Sequence, residues 1–237
     1  MTSGSLEIGL RGTLQIRVER LSQSPDACRL MYVSDIHLRR GRSENLVRQV
    51  LDSACQCEPH AILLGGDLVD RVSELGELRD MTKSLCSVAP VYAVGGNHDC
   101  GVGMDLVRDA VVSGGGNWIH VGMERLVHKD RVIGIFGPEA SATSRMDVDV
   151  QVLCAHNPRI WKTARHHGYD LVLAGHLHGC QCVAFEFRDR LYPGAILYPY
   201  CYLTHRYQST TLVVSRGVSD LIPIRWRCPR EVVLCYV

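Results

Sequence analysis

Short, almost fully apolar runs alternate with longer amphipathic stretches through the first hundred residues. The runs "RLMYV", "AILL" and "VYAV" are separated by "SENLVRQVLDSACQ" and "SELGELRDMTKSLC", in which apolar residues recur three or four positions apart. That spacing is typical of one helical face, and Ser43 is a candidate N-cap for the first helix. The pattern predicts a β-α-β-α-β series at about 30 residues per unit. Because the strands lack polar alternation, we expect a parallel sheet that is covered on both faces.

The second half continues the pattern and then becomes rich in strands. "MDLVRDAVVSGGG" and "RIWKTARHHG" predict helices, and a turn is expected at residues 128–130. The predicted strands are "NWIHV", "RVIGIFG", "VDVQVLCAHNP", "YDLVLAGHLHG", "CVAFEFRDR", "AILYPYCYL", "TTLVVSRG", "LIPIRWRCP" and "EVVLCYV". No linker or low-complexity segment interrupts the chain, so we expect one domain over residues 1–237.

Composition narrows the class of protein. The 237 residues are 46% hydrophobic, enough for one sizeable core. A formal net charge of +1 gives no broad basic field, so strong nucleic-acid binding is not expected. The start "MTSGSLEIGL" has no secretory character, and no apolar run reaches the length of a transmembrane segment. We therefore expect a cytoplasmic protein without a membrane anchor.

Cysteine is unusually frequent, with eleven residues in the chain. In a reducing cytoplasm free thiols are the default. The two "CQC" triplets, at residues 55–57 and 180–182, lack the C-x-x-C spacing of zinc fingers. Most of these cysteines are therefore expected to act as small buried hydrophobes.

Polar side chains stand where the apolar runs end. They are Asp35 and His37, Asp67, Asn97 and His98, His156, and His176 and His178. Ligand sites form beyond the carboxyl ends of parallel strands, so these residues should converge at one edge. They could hold two divalent cations about 3.5–4 Å apart, with Asp67 as a shared bridge. If "GHLH" is extended, the imidazoles of His176 and His178 point the same way.

Each of these pieces is weak alone, since a single D-x-H is common and "GGD" is often a turn. Their joint occurrence in order, each at a strand end, is specific. The series "SDIH", "GGDLVD", "GGNHD", "AHNP" and "GHLH" resembles the signature of the calcineurin-like metallophosphoesterases. The C-terminal part is further similar to a bacterial phosphodiesterase subfamily that often carries an N-terminal membrane anchor. The resemblance implies an α/β fold, a four-layer α-β-β-α sandwich of two mixed sheets with flanking helices.

The resemblance also implies a role for each matching residue. Asp35, His37, Asp67 and His178 would hold one metal, and Asp67, Asn97, His156 and His176 the other. His98 would face the substrate as general acid, and Asp70 would orient its imidazole. Arg71 stands where some relatives place a phosphate-binding arginine, although Val72 replaces their following glycine. Asp99 is expected to anchor the loop through backbone donors.

The implied chemistry is hydrolysis of a phosphodiester or phosphomonoester substrate by a metal-bridging hydroxide. Two cations lower the pKa of the water and bind the phosphoryl oxygens, while His98 protonates the leaving group. Nitrogen and oxygen ligands without thiolate suit Mn, Fe or Zn, and the sequence does not choose among them. A nuclease and a non-catalytic scaffold are the alternative functions. Neither the natural substrate nor the oligomeric state follows from the sequence.

The sequence allows two roles for each of three further residues. Cys180 is either a space-filling side chain or a thiol that makes the site oxidisable. His205 and Arg206 replace what looks like a Gly-Leu pair in the subfamily, so they either reach the substrate or are solvated loop residues. The short connection at residues 138–149 leaves no room for a cap domain, which favours an open cleft.

Overall fold

The computed structural model of the protein describes residues 6–9, 12–39, 43–140 and 147–237. The strands within these ranges are β1 (Leu6–Ile8), β2 (Gln15–Arg20), β3 (Arg29–Val33), β4 (Ala61–Gly65), β5 (Val91–Val94), β6 (Asn117–Trp118), β7 (Met123–His128), β8 (Arg131–Phe136), β9 (Val150–Cys154), β10 (Leu171–Ala174), β11 (Val183–Phe187), β12 (Arg190–Pro193), β13 (Thr204–Tyr207), β14 (Thr210–Val214), β15 (Ile224–Trp226) and β16 (Glu231–Tyr236). The helices are α1 (Glu44–Cys57), α2 (Leu75–Cys86), α3 (Asn97–Val102), α4 (Met104–Ser113), α5 (Trp161–Ala164) and α6 (Gly194–Leu197).

Two large mixed sheets dominate the fold. The first has the order β2-β16-β3-β4-β5-β6, in which β3 to β6 run parallel and β16 is antiparallel to β3. The second has the order β13-β14-β10-β9-β8-β7, with β14, β10, β9 and β8 parallel. The predicted parallel strands are therefore present. In both sheets, loops that follow the carboxyl ends of these strands can carry residues of a site.

The apolar side chains form three buried interfaces, one between the two sheets and one on the outer face of each sheet. Leu30 and Leu63 of the first sheet pack against Ile133 and Leu171 of the second in one buried cluster. The opposite face of the first sheet packs against α1, α2 and α4, and that of the second against α5. The result is the predicted four-layer α-β-β-α sandwich. Truncating a side chain such as Leu63 to Ala should cost about 2–5 kcal/mol of stability.

Some local predictions are wrong. Residues 195–203 were expected to form a strand, but α6 occupies part of them, and β1, β2, β7, β12 and β13 were not predicted. The helix expected from Arg159 is only the one-turn α5 after a 3₁₀ turn at Pro158–Ile160. Short elements at the ends of the sheets are fixed by packing rather than by a long periodic pattern. Ser43 does precede α1, but its hydroxyl bonds the backbone of Arg39 instead of capping the helix.

Two further expectations concern what the chain lacks. Residues 141–146, in the connection expected to be too short for a cap, lie outside the described residues. Among the helices of the described ranges, none has the length and apolar character needed to cross a bilayer. That the chain forms a single domain stays a prediction.

Candidate metal centre

The candidate ligands meet at the carboxyl ends of strands from both sheets. Asp35 follows β3 and Asp67 follows β4, while Asn97 opens α3 just after β5. His156 and His176 follow β9 and β10 of the second sheet. Because these strands are parallel within each sheet, their carboxyl ends place the following loops side by side.

The backbone at these loops is left-handed at most of the candidate ligands. Non-glycine residues rarely adopt positive φ, which costs on the order of 1–3 kcal/mol each. The φ angles are +57° at Asp35, +45° at His37, +52° at Asp67, +73° at His176 and +49° at His178. The preceding Gly66 also has positive φ (+84°), and an added Cβ there would lie 2.7 Å from the Gly96 nitrogen. With this backbone conformation the candidate ligand side chains point toward one another. The packing around the loops must offset the unfavourable energy of the left-handed backbone.

Asp35, His37 and His178 form the first cluster, with one ligand atom of each within 4.8 Å of the others. The two Nε2 atoms of His37 and His178 are 3.3 Å apart, and His178 Nε2 lies 3.6 Å from Asp35 Oδ1. The Ser219 carbonyl accepts a hydrogen bond from His178 Nδ1 at 3.0 Å, which leaves Nε2 of the neutral ring as a lone-pair donor. Burial lowers the pKa of His178 to about 4, so this ring is neutral at physiological pH.

Asp67, His156 and His176 form the second cluster. His156 Nε2 lies 3.2 Å from Asp67 Oδ2, 3.1 Å from His176 Nδ1 and 3.1 Å from Asn97 Oδ1. The Gly65 carbonyl accepts the hydrogen of His156 Nδ1 at 2.9 Å, so Nε2 is the atom turned toward the other ligands.

Burial, hydrogen bonds and charge set the ionisation of this second cluster without a metal. Burial opposes ionisation of Asp67, but the hydrogen bond and charge of His156 hold its pKa down at about 2. Burial likewise opposes the charged form of His156, yet the bond to Asp67 and the charges of Asp35 and Asp67 raise its pKa to about 9. Without a metal, Asp67 and His156 therefore form an ion pair, and the proton on the His156 ring supplies the positive charge that a metal ion would supply.

The two clusters are joined through Asp67. Its Oδ2 atom also lies 3.8 Å from His37 Nε2 of the first cluster. Imidazole nitrogens, carboxylate oxygens and one amide oxygen converge here, and all are acceptors when deprotonated. Converging acceptors are stabilised by a positive charge between them, and this mixed nitrogen and oxygen set suits divalent transition metals. The residues present therefore fit divalent metal ions.

Asp70 connects a candidate ligand with the candidate acid. Its Oδ1 atom lies 2.7 Å from His37 Nδ1 and 2.9 Å from His98 Nδ1. Burial opposes ionisation, but hydrogen bonds and charges from His37 and Arg39 hold the pKa of Asp70 well below its usual range. The carboxylate therefore accepts from both rings, and Nε2 is the nitrogen of His98 left to meet a substrate.

Asp99 anchors the loop, as the sequence predicted. Its buried carboxylate accepts hydrogen bonds from the backbone N–H groups of Gly96 (2.8 Å), Leu68 (2.9 Å) and Val69 (3.1 Å). Burial nevertheless raises the pKa of Asp99. The side chain therefore ties the segment after β4 to the start of α3.

Two conformational predictions are wrong. Asn97 and His98 were placed at a strand end, whereas they form the first turn of α3. Their side chains diverge because successive helical residues are rotated by about 100°. The segment with His176 and His178 is not extended either, since both residues have positive φ. The two rings nevertheless join the separate clusters to which the resemblance assigned them.

The structure does not bring the three candidate substrate-binding residues together with the clusters in one contact network. Arg71 is exposed directly after Asp70. The His205 ring stacks on Tyr202 with centroids 4.6 Å apart. Arg206 lines a separate depression with Val150 and Thr211, at the opposite end of the second sheet from the clusters. Substrate binding by these three residues stays a prediction.

Sequence reasoning missed groups that orient the ligands. Arg39 Nε donates to Asp70 Oδ2 at 2.8 Å, and Ser34 Oγ donates to Asp35 Oδ2 at 2.6 Å. Ser34 directly precedes the "DIH" motif and Arg39 follows it by two positions, and that proximity is the signal that could have indicated them. Nothing in the sequence pattern pointed to the Ser219 and Gly65 carbonyls, because backbone acceptors carry no residue type.

Comparison with known proteins agrees with this geometry. The family model described as calcineurin-like phosphoesterase matches residues 28–180. The chain is 24% identical to the phosphodiesterase YaeI of Escherichia coli over 228 residues, covering 87% of this chain and 80% of that protein. It is 25% identical to an uncharacterised metallophosphoesterase of Campylobacter jejuni, covering 87% of this chain but only 58% of the relative's length.

A solved structure shares the fold. The crystal structure of TT1561 of Thermus thermophilus aligns with a TM-score of 0.53 at 11% sequence identity, covering 82% of this chain and 91% of that chain. At that identity the likeness concerns the fold alone.

Proposed function

The chain belongs to the calcineurin-like phosphoesterase family, and we propose that it is a dinuclear metal-dependent phosphoesterase that prefers phosphodiesters. The observation that carries the proposal is the pair of ligand clusters joined at Asp67. Asp35, His37, Asp67 and His178 would hold one divalent ion, and Asp67, Asn97, His156 and His176 the other. The preference for diesters draws support from the phosphodiesterase name of the Escherichia coli relative.

Two bound cations would supply positive charge to the phosphoryl oxygens and lower the pKa of a water at the site. The residues of the chain would orient the metal ligands, and His98 would carry the proton that goes to the leaving group. Hydrogen bonds from Nδ1 to Asp70, Ser219 and Gly65 select the tautomer in which Nε2 of His37, His178 and His156 faces the site.

His98 is the candidate general acid. Its side chain is partly exposed, at 36%, and Nδ1 is held by Asp70. The carboxylate orients the ring so that Nε2, when it carries a proton, can donate it to the departing alkoxide. Arg39 would offset the charge of Asp70 and hold it in place for both rings.

Metal analysis combined with a substrate pair tests the proposal. Purified protein would be assayed for bound metal and then for hydrolysis of bis-p-nitrophenyl phosphate and p-nitrophenyl phosphate with Mn²⁺, Fe²⁺ or Zn²⁺. We expect about two ions per chain and faster turnover of the diester. Metal-loaded protein that hydrolyses neither ester would contradict the proposal. Cleavage of single-stranded DNA in preference to both would favour the nuclease alternative.

A further inference from the structure

A pocket of about 480 Å³ opens directly beside the candidate metal centre. One wall contains His176 and His178, and the other walls contain Leu197, Tyr198, Leu221 and Ile222. Because candidate ligands form part of its lining, whatever occupies the pocket is adjacent to a phosphate bound at the clusters. The pocket is therefore continuous with the site rather than a separate surface depression.

The walls of the pocket are apolar yet exposed. Leu197 is 76% exposed, Ile222 59%, Leu221 48% and Tyr198 47%. Exposure of large apolar side chains to water is unfavourable. A group of such side chains around a concave surface is typical of a ligand pocket. Among the described residues that line the pocket, none is Asp, Glu, Lys or Arg. A polyanionic strand would find no cation here, whereas an uncharged apolar group would find apolar walls.

Gln181 holds the exposed segment in position. Its side-chain Nε2 donates to the Ile222 and Ile224 carbonyls at 2.6 and 2.8 Å. Its Oε1 accepts from the backbone N–H groups of Leu221 and Ile222 at 3.1 and 3.2 Å. The buried amide thereby fixes residues 221–224 against the loop that carries His176 and His178, so the apolar wall cannot collapse into the core.

We propose that this pocket binds an alkyl substituent of an amphiphilic phosphodiester whose phosphate lies at the metal centre. The inference rests on the proposed function for the phosphate and on the pocket for the apolar group. Each methylene buried from water should raise affinity about threefold to fourfold until the pocket is filled. The substrate class is thus a phosphodiester with an uncharged hydrocarbon chain.

A binding series tests the inference without requiring turnover. Calorimetry would compare methyl-, butyl- and octylphosphonate, each below its micelle concentration, with the Mn²⁺-loaded protein. We expect octylphosphonate to bind at least tenfold more tightly than methylphosphonate. In Leu197→Ser combined with Ile222→Ser, that gain should fall about tenfold. Val127→Ser is the matched control, since Val127 is 68% exposed on β7 and does not line the pocket, and it should keep the gain.

The outcomes separate the two proposals. Equal affinity for methyl- and octylphosphonate in the parent protein would overturn the pocket inference, even if bis-p-nitrophenyl phosphate is hydrolysed. A gain of equal size in the double variant would also overturn it. Chain-length-dependent binding in protein that hydrolyses no ester would instead contradict the proposed function. If the double variant does not fold, the comparison of methyl- and octylphosphonate in the parent protein still tests the pocket inference.

Discussion

The Nε2 atoms of His37 and His178 lie 3.3 Å apart, each on a ring whose Nδ1 is already hydrogen-bonded. His37 Nδ1 meets Asp70 Oδ1 at 2.7 Å, and His178 Nδ1 donates to the Ser219 carbonyl at 3.0 Å. Both partners are acceptors, so each ring donates from Nδ1 and turns Nε2 toward the other ring. A cation bound between the two Nε2 atoms would offset the repulsion of their lone pairs.

This relationship predicts that divalent metal stabilises the folded protein. At a free metal concentration 100 times Kd, the gain is about 2.7 kcal/mol. For a chain of this size that gain corresponds to a rise in Tm of roughly 5–11 °C. Thermal unfolding followed by circular dichroism, with EDTA and with Mn²⁺ or Zn²⁺, measures it. His178→Ala should reduce the increment, and the exposed His120→Ala should not. Equal Tm values with chelator and with metal would contradict the prediction.

Asp67→Asn should lower bound metal and abolish turnover. The buried Asp67 Oδ2 faces His156 Nε2 at 3.2 Å and His37 Nε2 at 3.8 Å, so one carboxylate serves both clusters. An amide has a single acceptor oxygen and no charge, and it cannot serve two cations equally. Metal content by mass spectrometry is the measurement. Asp105→Asn, on an 83%-exposed side chain of α4, is the control and should match the parent. A variant with two metals and a near-normal rate would show that Asp67 is not the bridge.

Metal binding at the second cluster should release a proton. The pKa of His156 is about 9 in the metal-free protein, and a cation binds the neutral ring, so binding below pH 9 displaces its proton. Affinity should therefore fall about tenfold per unit as the pH is lowered from 9 toward 6. Asp67, with a pKa of about 2, and His178, with a pKa of about 4, stay deprotonated in that window. Calorimetry at pH 7.5 in two buffers of different ionisation enthalpy counts the protons, and a count near zero would refute this.

The sequence predicted the parallel strands, the helices that cover them and the candidate ligands because these depend on strong, local patterns, whereas the four-layer arrangement came from the resemblance to a known family. Short apolar strands and amphipathic helices identified β3 to β5, α1 and α2, and polar residues at strand ends identified the candidate ligands. Apolar runs covered on both faces imply parallel strands, and parallel strands bring their carboxyl ends together. These two steps place Asp35 and Asp67 at one edge of the first sheet, whereas the contact of Asp67 with His156, which follows a strand of the second sheet, does not follow from them.

Side-chain directions were not predictable in the same way. His176 and His178 were treated as parts of an extended segment, but both have positive φ, a property that sequence patterns for non-glycine residues do not reveal. Residues 97–98 were placed at a strand end because apolar residues precede them, but Asp99 accepts the Gly96 N–H at the start of a helix there. Distant segments also hold both conformations, since Asp35 accepts the His176 N–H and Asp99 accepts the N–H groups of residues 68 and 69.

Cys180→Ala should leave the metal content unchanged. Cys180 Sγ lies 3.4 Å from Cys201 Sγ, and Cys180 belongs to none of the ligand clusters among the described residues. The substitution removes one sulfur from a partly buried site, so a stability loss of about 1 kcal/mol is expected. Metal analysis and urea unfolding measure the two quantities, with Cys55→Ala on the exposed side of α1 as the control. Loss of an ion from the Cys180 variant would make the thiol an additional ligand.

His98→Ala should keep both metals while slowing hydrolysis. The ring contacts Asp70 through Nδ1 at 2.9 Å, and His98 forms part of neither the Asp35 nor the Asp67 cluster. A positioned acid contributes roughly 10²–10⁴ in rate. Esters with good leaving groups such as p-nitrophenolate need little protonation, so the loss should be smallest for them and largest for alkyl esters. The ratio of variant to parent kcat, plotted against leaving-group pKa, decides the matter. A flat plot would assign His98 to phosphate binding, and a loss of metal would make it a ligand.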